Sequence, residues 1–280
     1  METIGFLTAM GAALAWGSYN VPFKKSPSVN IIQFQALMSV GAFLFALIAV
    51  LAVGYSFKLN SYAFISGVLW AIANAISLIA INNIGLSKAA PIWMSMVITV
   101  SFLWGVFLFN ELPSGLLIGS MGIILIILGV FLVSKTDSSR DKNTRLGILA
   151  SLLAGSLFGS YFVPIKLGNL KPEDTLFPMS LGVVLFGIGF FFMKRIKFKK
   201  EAIFNSVLSG VVWNIGNLFS FFAVALIGLA KAFPMTQGAV LVAVCWGLFY
   251  FKESSELKHK VQILIGAIIL LIGVITLSSA

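Results

Sequence analysis

The sequence predicts an all-α integral membrane protein, with ten transmembrane helices arranged as two inverted five-helix repeats. Three observations carry that expectation. Of 280 residues, 59% are hydrophobic and only 10% are charged, whereas soluble domains carry about 25% charge. Apolar segments recur along the whole chain, each near the roughly 20 residues that a bilayer-crossing helix needs. The chain also repeats itself. SGVLWAIANAISLIAINNIGLSKAAP, Ser66 to Pro91, aligns without gaps on SGVVWNIGNLFSFFAVALIGLAKAFP, Ser209 to Pro234, with fourteen of 26 positions identical.

The spans fall at about 4–23, 31–53, 61–84, 89–109, 115–134, 147–165, 175–193, 203–227, 232–251 and 261–279. Backbone groups in lipid need internal partners, which makes helices the default. Runs such as IILIILGVFLV lack the alternation of a membrane strand. The first span opens Met1-Glu2-Thr3, with no basic stretch and no small-residue cleavage site before Tyr19. It therefore reads as a retained span and not a signal peptide. It ends in GSYNVPFK, Gly17 to Lys24, and the sixth span ends in GSYFVPIK, Gly159 to Lys166, identical at six of eight positions. Gly17 and Gly159 let a neighbouring helix approach closely. Tyr19 and Tyr161 suit the headgroup interface. Pro22 and Pro164 remove a backbone donor and help to stop the helix. The motif reads as a hinge and anchor.

The third and eighth spans hold the paired GVLWAIAN and GVVWNIGN. The junction from Asn82-Asn83 to Ala90 is tight. The fourth and ninth spans follow Lys88 and Lys231, each three residues before Pro91 or Pro234, and close on Glu111 in WGVFLFNE and Glu253 in WGLFYFKE. The fifth span runs into the polar loop KTDSSRDKNTR, Lys135 to Arg145, near the chain midpoint. The expected organisation is a first module at 1–134, a linker at 135–146 and a second module at 147–280. Five spans per half is an odd number, so the second copy enters the membrane in the opposite sense, as in many secondary transporters. Lysines and arginines after spans 1, 3, 5, 7 and 9 number 15, against four on the other face. The positive-inside rule then places both termini outside the cytoplasm.

These motifs resemble the drug/metabolite transporter superfamily in its two-module, ten-span form, along the whole chain. The resemblance rests on WGSYNVPFK, on IGLSKAAPI entering span 4, on the glutamate of FLFNEL, and on a glycine-rich span 5 ending ILGVFLVSK. FGSYFVPIK, IGLAKAFPM, FYFKES and LIGVITLSS repeat them. Trp16-Gly17-Ser18 and the GVLWAIAN/GVVWNIGN pair are closest to its glucose/ribose porter branch. The resemblance implies a multi-pass cell-membrane transporter shaped as a helical basket. Spans 3, 4, 8 and 9 would surround a central cavity that takes a small-molecule substrate, with spans 5 and 10 used for packing or for a homodimer in the lipid. Many ten-span relatives keep their termini in the cytoplasm, so the charge distribution here departs from that pattern.

Candidate binding residues follow from helical spacing. Trp70, Asn74 and Ser77 stand at i, i+4 and i+7 on one face of span 3, and Trp213, Asn217 and Ser220 repeat the face in span 8. Asparagine brings two donors and an acceptor, and an indole brings an apolar ring face. A monosaccharide, with hydroxyls at its rim and C–H groups on its faces, suits that pairing without charge. The competing use of the asparagines and serines is hydrogen bonding between packed helices. Thr236 and Gln237 replace Trp93 and Met94, and Asn214 replaces Ala71, so Trp93, Asn214 and Gln237 are candidates for reading an asymmetric ligand. Lys88 and Lys231 either snorkel to headgroups or meet an anion at the cavity mouth. Glu111 and Glu253 belong to helix ends, salt bridges or a gate.

All nine acidic residues lie at span ends or in loops, and intramembrane proton relays need a titratable group within a span. Export of cationic drugs by proton exchange is therefore not expected; facilitated diffusion or exchange is. Cys245 is the single cysteine, in an apolar run, and His259 the single histidine, between two lysines in a polar loop. Neither has partners for a metal site, and no P-loop or GxSxG elbow occurs. The sequence thus points to no enzyme, no metal and no cofactor. Its net charge of +10 reads as membrane topology and not as nucleic-acid binding. Besides a neutral-solute carrier, an amino-acid or organic-anion exporter of the same superfamily and a non-transporting membrane scaffold or receptor stay open.

Overall fold

The structure, a computed structural model, describes residues 2–54, 57–110, 116–135, 141–194, 196–227, 232 and 235–278. Helices account for its regular structure, and no strand occurs among the described residues. In chain order they are α1 (Glu2–Ser18), α2 (Val21–Lys24), α3 (Ile31–Val53), α4 (Ser61–Ile84), α5 (Leu86–Phe109), α6 (Leu116–Ser134), α7 (Thr144–Ser160), α8 (Phe162–Leu167), α9 (Pro172–Met193), α10 (Ile203–Ile227), α11 (Ala239–Cys245) and α12 (Leu257–Ser278). Trp246–Tyr250 continues α11 as a π-type turn. Among the described residues, seven helices are long and apolar enough to cross a membrane, and Leu117–Val133 and Ala239–Tyr250 are shorter apolar helices. The chain is a multi-pass membrane protein.

Local chemistry sets the boundaries. Asn30, Asn60 and Asn143 cap α3, α4 and α7, each side-chain oxygen accepting from a backbone N–H of the first turn. Gly54 ends α3 in the left-handed region, where glycine carries no Cβ penalty. The junction after Asn82-Asn83 is a single residue, Gly85, at φ 80°. That conformation turns the chain from α4 straight into α5, which begins three residues earlier than the apolar run suggests. His259 lies within the first turn of α12 and not in a loop, and its Nδ1 is 3.5 Å from Glu256 Oε2.

Helix packing crosses the chain midpoint almost everywhere. α1 packs on α10, and α4 on α7; α3 packs on α10, and α4 on α9; α5 packs on α7, and α11 on α1. α3 packs on α9, and α6 on α12. The α6–α12 pair is antiparallel and close. A Cβ added to Gly122 would meet Leu277 N at 2.7 Å, and one on Gly129 would meet Gly266 O at 2.7 Å. Their outer faces carry exposed apolar side chains such as Ile124, Phe131, Ile265 and Ile272. The largest buried cluster joins Tyr19, Trp70 and Trp93 to Phe158, Met179 and Trp213. Neither half owns its core.

Candidate functional site

α4 and α10 reach each other through two indoles. Trp70 and Trp213, near the middle of their helices, stack with ring centroids 3.7 Å apart and planes 27° apart. Both are almost fully buried. Phe158 and Tyr19 flank the Trp70 ring at 5.8 Å and 6.5 Å. The helical period that sets Trp70 on this face sets Asn74 one turn further on. Tyr19 Oη donates to Asn74 Oδ1 at 3.2 Å, and Asn74 Nδ2 donates to Gln35 Oε1 at 2.6 Å and to Met38 Sδ at 3.3 Å. Ser77 Oγ donates to the backbone oxygen of Asn74, so its hydroxyl is used within its own helix.

A second chain of bonds runs along α10. Trp16 Nε1 donates to Asn217 Oδ1 at 3.2 Å, and Asn217 Nδ2 donates to Asn214 Oδ1 at 2.7 Å. Asn214 Nδ2 donates to the Ala42 carbonyl at 2.6 Å and to Ser180 Oγ at 3.3 Å. Every side chain in the two chains is neutral. In a low-dielectric interior an unpaired charge would be costly, and the amides, hydroxyl and indoles here pair with one another.

Charges gather at one end. Glu253 is buried, and its carboxylate accepts from Leu86 N at 2.7 Å, Ser87 N at 2.7 Å and Ser87 Oγ at 2.6 Å. An anion at a helix N-terminus satisfies orphan donors and complements the dipole. Lys24 Nζ completes the group at 3.0 Å. Lys88, also buried, pairs with Asp141 at 2.6 Å, and Thr144 Oγ1 donates to the same carboxylate. A cavity of about 310 Å³ opens beside them, lined by Phe23, Lys24, Asn82, Asp141 and Glu253 among others. Among the described residues no group of acidic, histidine or cysteine side chains could hold a metal ion.

The helix is interrupted within the repeated octapeptide in both copies, between α1 and α2 and between α7 and α8. Pro22 opens α2 and Pro164 lies in α8. Each copy is held by the opposite half. Trp246 Nε1 donates to Ser18 Oγ at 2.8 Å, and Trp104 Nε1 donates to Ser160 Oγ at 2.9 Å. Ser209 Oγ donates to the Tyr19 carbonyl, and Ser66 Oγ to the Tyr161 carbonyl. A Cβ on Gly17 would strike Val242, and one on Gly159 the Val97 carbonyl. Tyr19 does not sit at a headgroup interface: it is 7% exposed, drawn inward by Asn74, which accepts its hydroxyl.

Of the other candidates, Trp93 joins the central cluster, and Gln237 is half-buried just before α11. Glu111 and Lys231 lie outside the described residues. Sequence spacing did not single out Trp16, Gln35, Ser180 or Asp141. Gln33 and Gln35 carried a legible signal, since polar side chains inside an apolar span are costly and need partners. Gln33 Nε2 donates to the Lys199 carbonyl, and Lys199 N donates back to Gln33 Oε1.

The model of the family described as sugar transport protein matches residues 7–280. A protein of Lactiplantibacillus plantarum named for sugar uptake is 29% identical, over 98% of this chain and 99% of its own. The glucose uptake protein GlcU of Bacillus subtilis is 28% identical, over 98% of each. A solved structure titled only as the crystal structure of a protein superposes at a TM-score of 0.66. It has 12% identity and covers 98% of this chain and 96% of that one, a likeness of fold.

Proposed function

The chain belongs to the sugar transport protein family, and from that premise we propose that it moves a monosaccharide across the membrane by alternating access between its two halves. The observation that carries the proposal is the stacked Trp70–Trp213 pair with its neutral network of Tyr19, Gln35 and Asn74 on one side and Trp16, Asn214 and Asn217 on the other. Indole faces take the C–H faces of a sugar ring and amides take its hydroxyls. Lys88 is engaged with Asp141, which leaves the central site without charge and favours a neutral solute over an anion.

The architecture we propose is ten spans in two inverted modules, 1–134 and 147–280. Its support is that exchanging the halves maps the α1–α10 contact on α7–α4, α3–α10 on α9–α4, and α5–α7 on α11–α1. The antiparallel α6–α12 pair maps on itself. In this reading the end with Lys24, Lys88 and Glu253 faces the cytoplasm, both termini lie outside, and the outer faces of α6 and α12 meet lipid or a second copy.

Uptake of radiolabelled monosaccharides into proteoliposomes holding the purified protein tests the function. Saturable uptake of at least one is expected. It should fall at least tenfold in Trp70→Ala and Trp213→Ala, which remove the ring faces. No uptake of any monosaccharide beside clear amino-acid counterflow would sink the reading.

A further inference from the structure

Among the described residues four asparagines stand at helix N-cap positions, and three of them do what asparagine does there: Asn30, Asn60 and Asn143 accept from first-turn backbone N–H groups. Asn20, at the start of α2, makes no such bond. It is also 2% exposed, and its Oδ1 has no hydrogen-bond partner. In α3, Gln35 is 1% exposed, and its Oε1 accepts from Asn74 while its Nε2 has no partner. Ser206 Oγ is the one other such atom among the described residues, and it is a hydroxyl in the first turn of α10. Leaving an amide buried and unpaired is unfavourable enough that native interiors rarely do it.

The two orphans are neighbours through the central network. Asn20 follows Tyr19, whose hydroxyl donates to Asn74, and Asn74 donates to Gln35. Phe23, one turn beyond Asn20, meets Phe34, beside Gln35, edge to face at 5.0 Å. Phe23 also lines the 310 Å³ cavity. One orphan is an acceptor and the other a donor. A hydroxyl group is both.

Both also stand where the halves stop matching. Asn20 corresponds to Phe162 in the second octapeptide. Aligning Met38-Ser39 and Gly41 with Met179-Ser180 and Gly182 sets Gln35 opposite Leu176. The second half therefore has apolar side chains at both places, and the pair belongs to no shared structural device.

We propose that Asn20 and Gln35 form a hydroxyl-reading subsite on one side of the sugar, with Gln35 Nε2 donating to a sugar hydroxyl oxygen and Asn20 Oδ1 accepting a sugar hydroxyl proton. The subsite rests on the transport reading above and deepens it. It distinguishes monosaccharides by the hydroxyl they present at this edge, and the stacked indoles do not.

The test is competition of monodeoxy derivatives of D-glucose against labelled D-glucose uptake in proteoliposomes, with the unaltered protein, Gln35→Met and Asn20→Leu. In the unaltered protein one deoxy position is expected to weaken competition by about tenfold or more, because a site built to bond a hydroxyl leaves its own groups unpaired without it. In each variant the KM for D-glucose should rise about tenfold and the penalty at that same position should shrink to about twofold, other positions being unchanged. Asn20→Leu removes an orphan acceptor, so its sugar-free melting temperature should hold, whereas Gln35→Met also takes the acceptor from Asn74 Nδ2 and should lower it; in both, the upward shift produced by D-glucose should shrink. Equal competition by all monodeoxy sugars in the unaltered protein overturns the subsite, whether or not the variants fold. So does a variant profile that keeps the penalty, or KM changes that are uniform across the series; the two atoms then meet only water. Absence of saturable uptake of any monosaccharide by the unaltered protein overturns the transport reading itself, and the subsite falls with it.

Discussion

The two copies of the octapeptide, Gly17 to Lys24 and Gly159 to Lys166, do one job alike and another differently. In each, the serine hydroxyl accepts from a tryptophan of the opposite half and the tyrosine carbonyl accepts from a serine of the opposite half. Past that point they part. Tyr19 sends its hydroxyl to Asn74, whereas the Tyr161 ring packs on Phe162 at 4.2 Å. Asn217, the counterpart of Asn74, takes its donor from Trp16. The position equivalent to Trp16 is Phe158, which cannot donate and packs on Trp70. Identical residues hold the halves together; the substituted ones decide which polar atoms face the centre.

The largest expected effect tests whether the charged end is a structural tie between halves. Glu253→Ala removes an acceptor from two backbone N–H groups, a hydroxyl and an ammonium. Breaking a buried, paired charge costs about 3–5 kcal/mol. Thermal unfolding of the detergent-purified protein should show a large drop, and an unmoved midpoint would mean that Glu253 ties nothing. Next come Gly67→Ala and Gly210→Ala. Their added Cβ atoms would strike the Met179 carbonyl oxygen and the Met38 carbonyl oxygen, respectively. Overpacking of this kind costs about 1–3 kcal/mol, and equivalence of the halves requires similar losses at both sites. A large inequality would break that equivalence.

Tyr19→Phe and Tyr161→Phe sharpen the difference instead. Loss of the Tyr19–Asn74 bond should cost about 1 kcal/mol and raise the KM for sugar, while Tyr161→Phe should change each far less. Equal effects would contradict the division of labour. Smallest are Trp104→Phe and Trp246→Phe, each removing one neutral hydrogen bond to a serine. Each should lose no more than about 1 kcal/mol, and by nearly the same amount in calorimetry.

Much of this was legible in the sequence. The period that aligned Trp70 with Asn74 and Trp213 with Asn217 survives in the structure, because a continuous helix fixes those side chains on one face. The repeat also showed where the halves diverge, at Asn214 for example, which bonds α3 and α9. Partners that come from other helices were not legible. No spacing rule links Gln35 to Asn74, or Trp16 to Asn217 across 201 positions. The inward turn of Tyr19 was hidden for the same reason. A tyrosine near a span end belongs at the headgroups by local reasoning, and only the arrival of α4 beside it offers its hydroxyl an interior acceptor. Asp141 was hidden by composition, since it stands within a run of polar loop residues yet lies buried against Lys88.

The stacked indoles have an optical consequence. Two aromatic transitions held 3.7 Å apart couple, and coupled transitions divide their absorption into a pair of circular-dichroism bands of opposite sign. Because one indole belongs to each half, the amplitude of that couplet reports how the halves are disposed, without any attached label. A solute that enters between the rings would weaken it, and the spectrum would follow occupancy of the centre in real time.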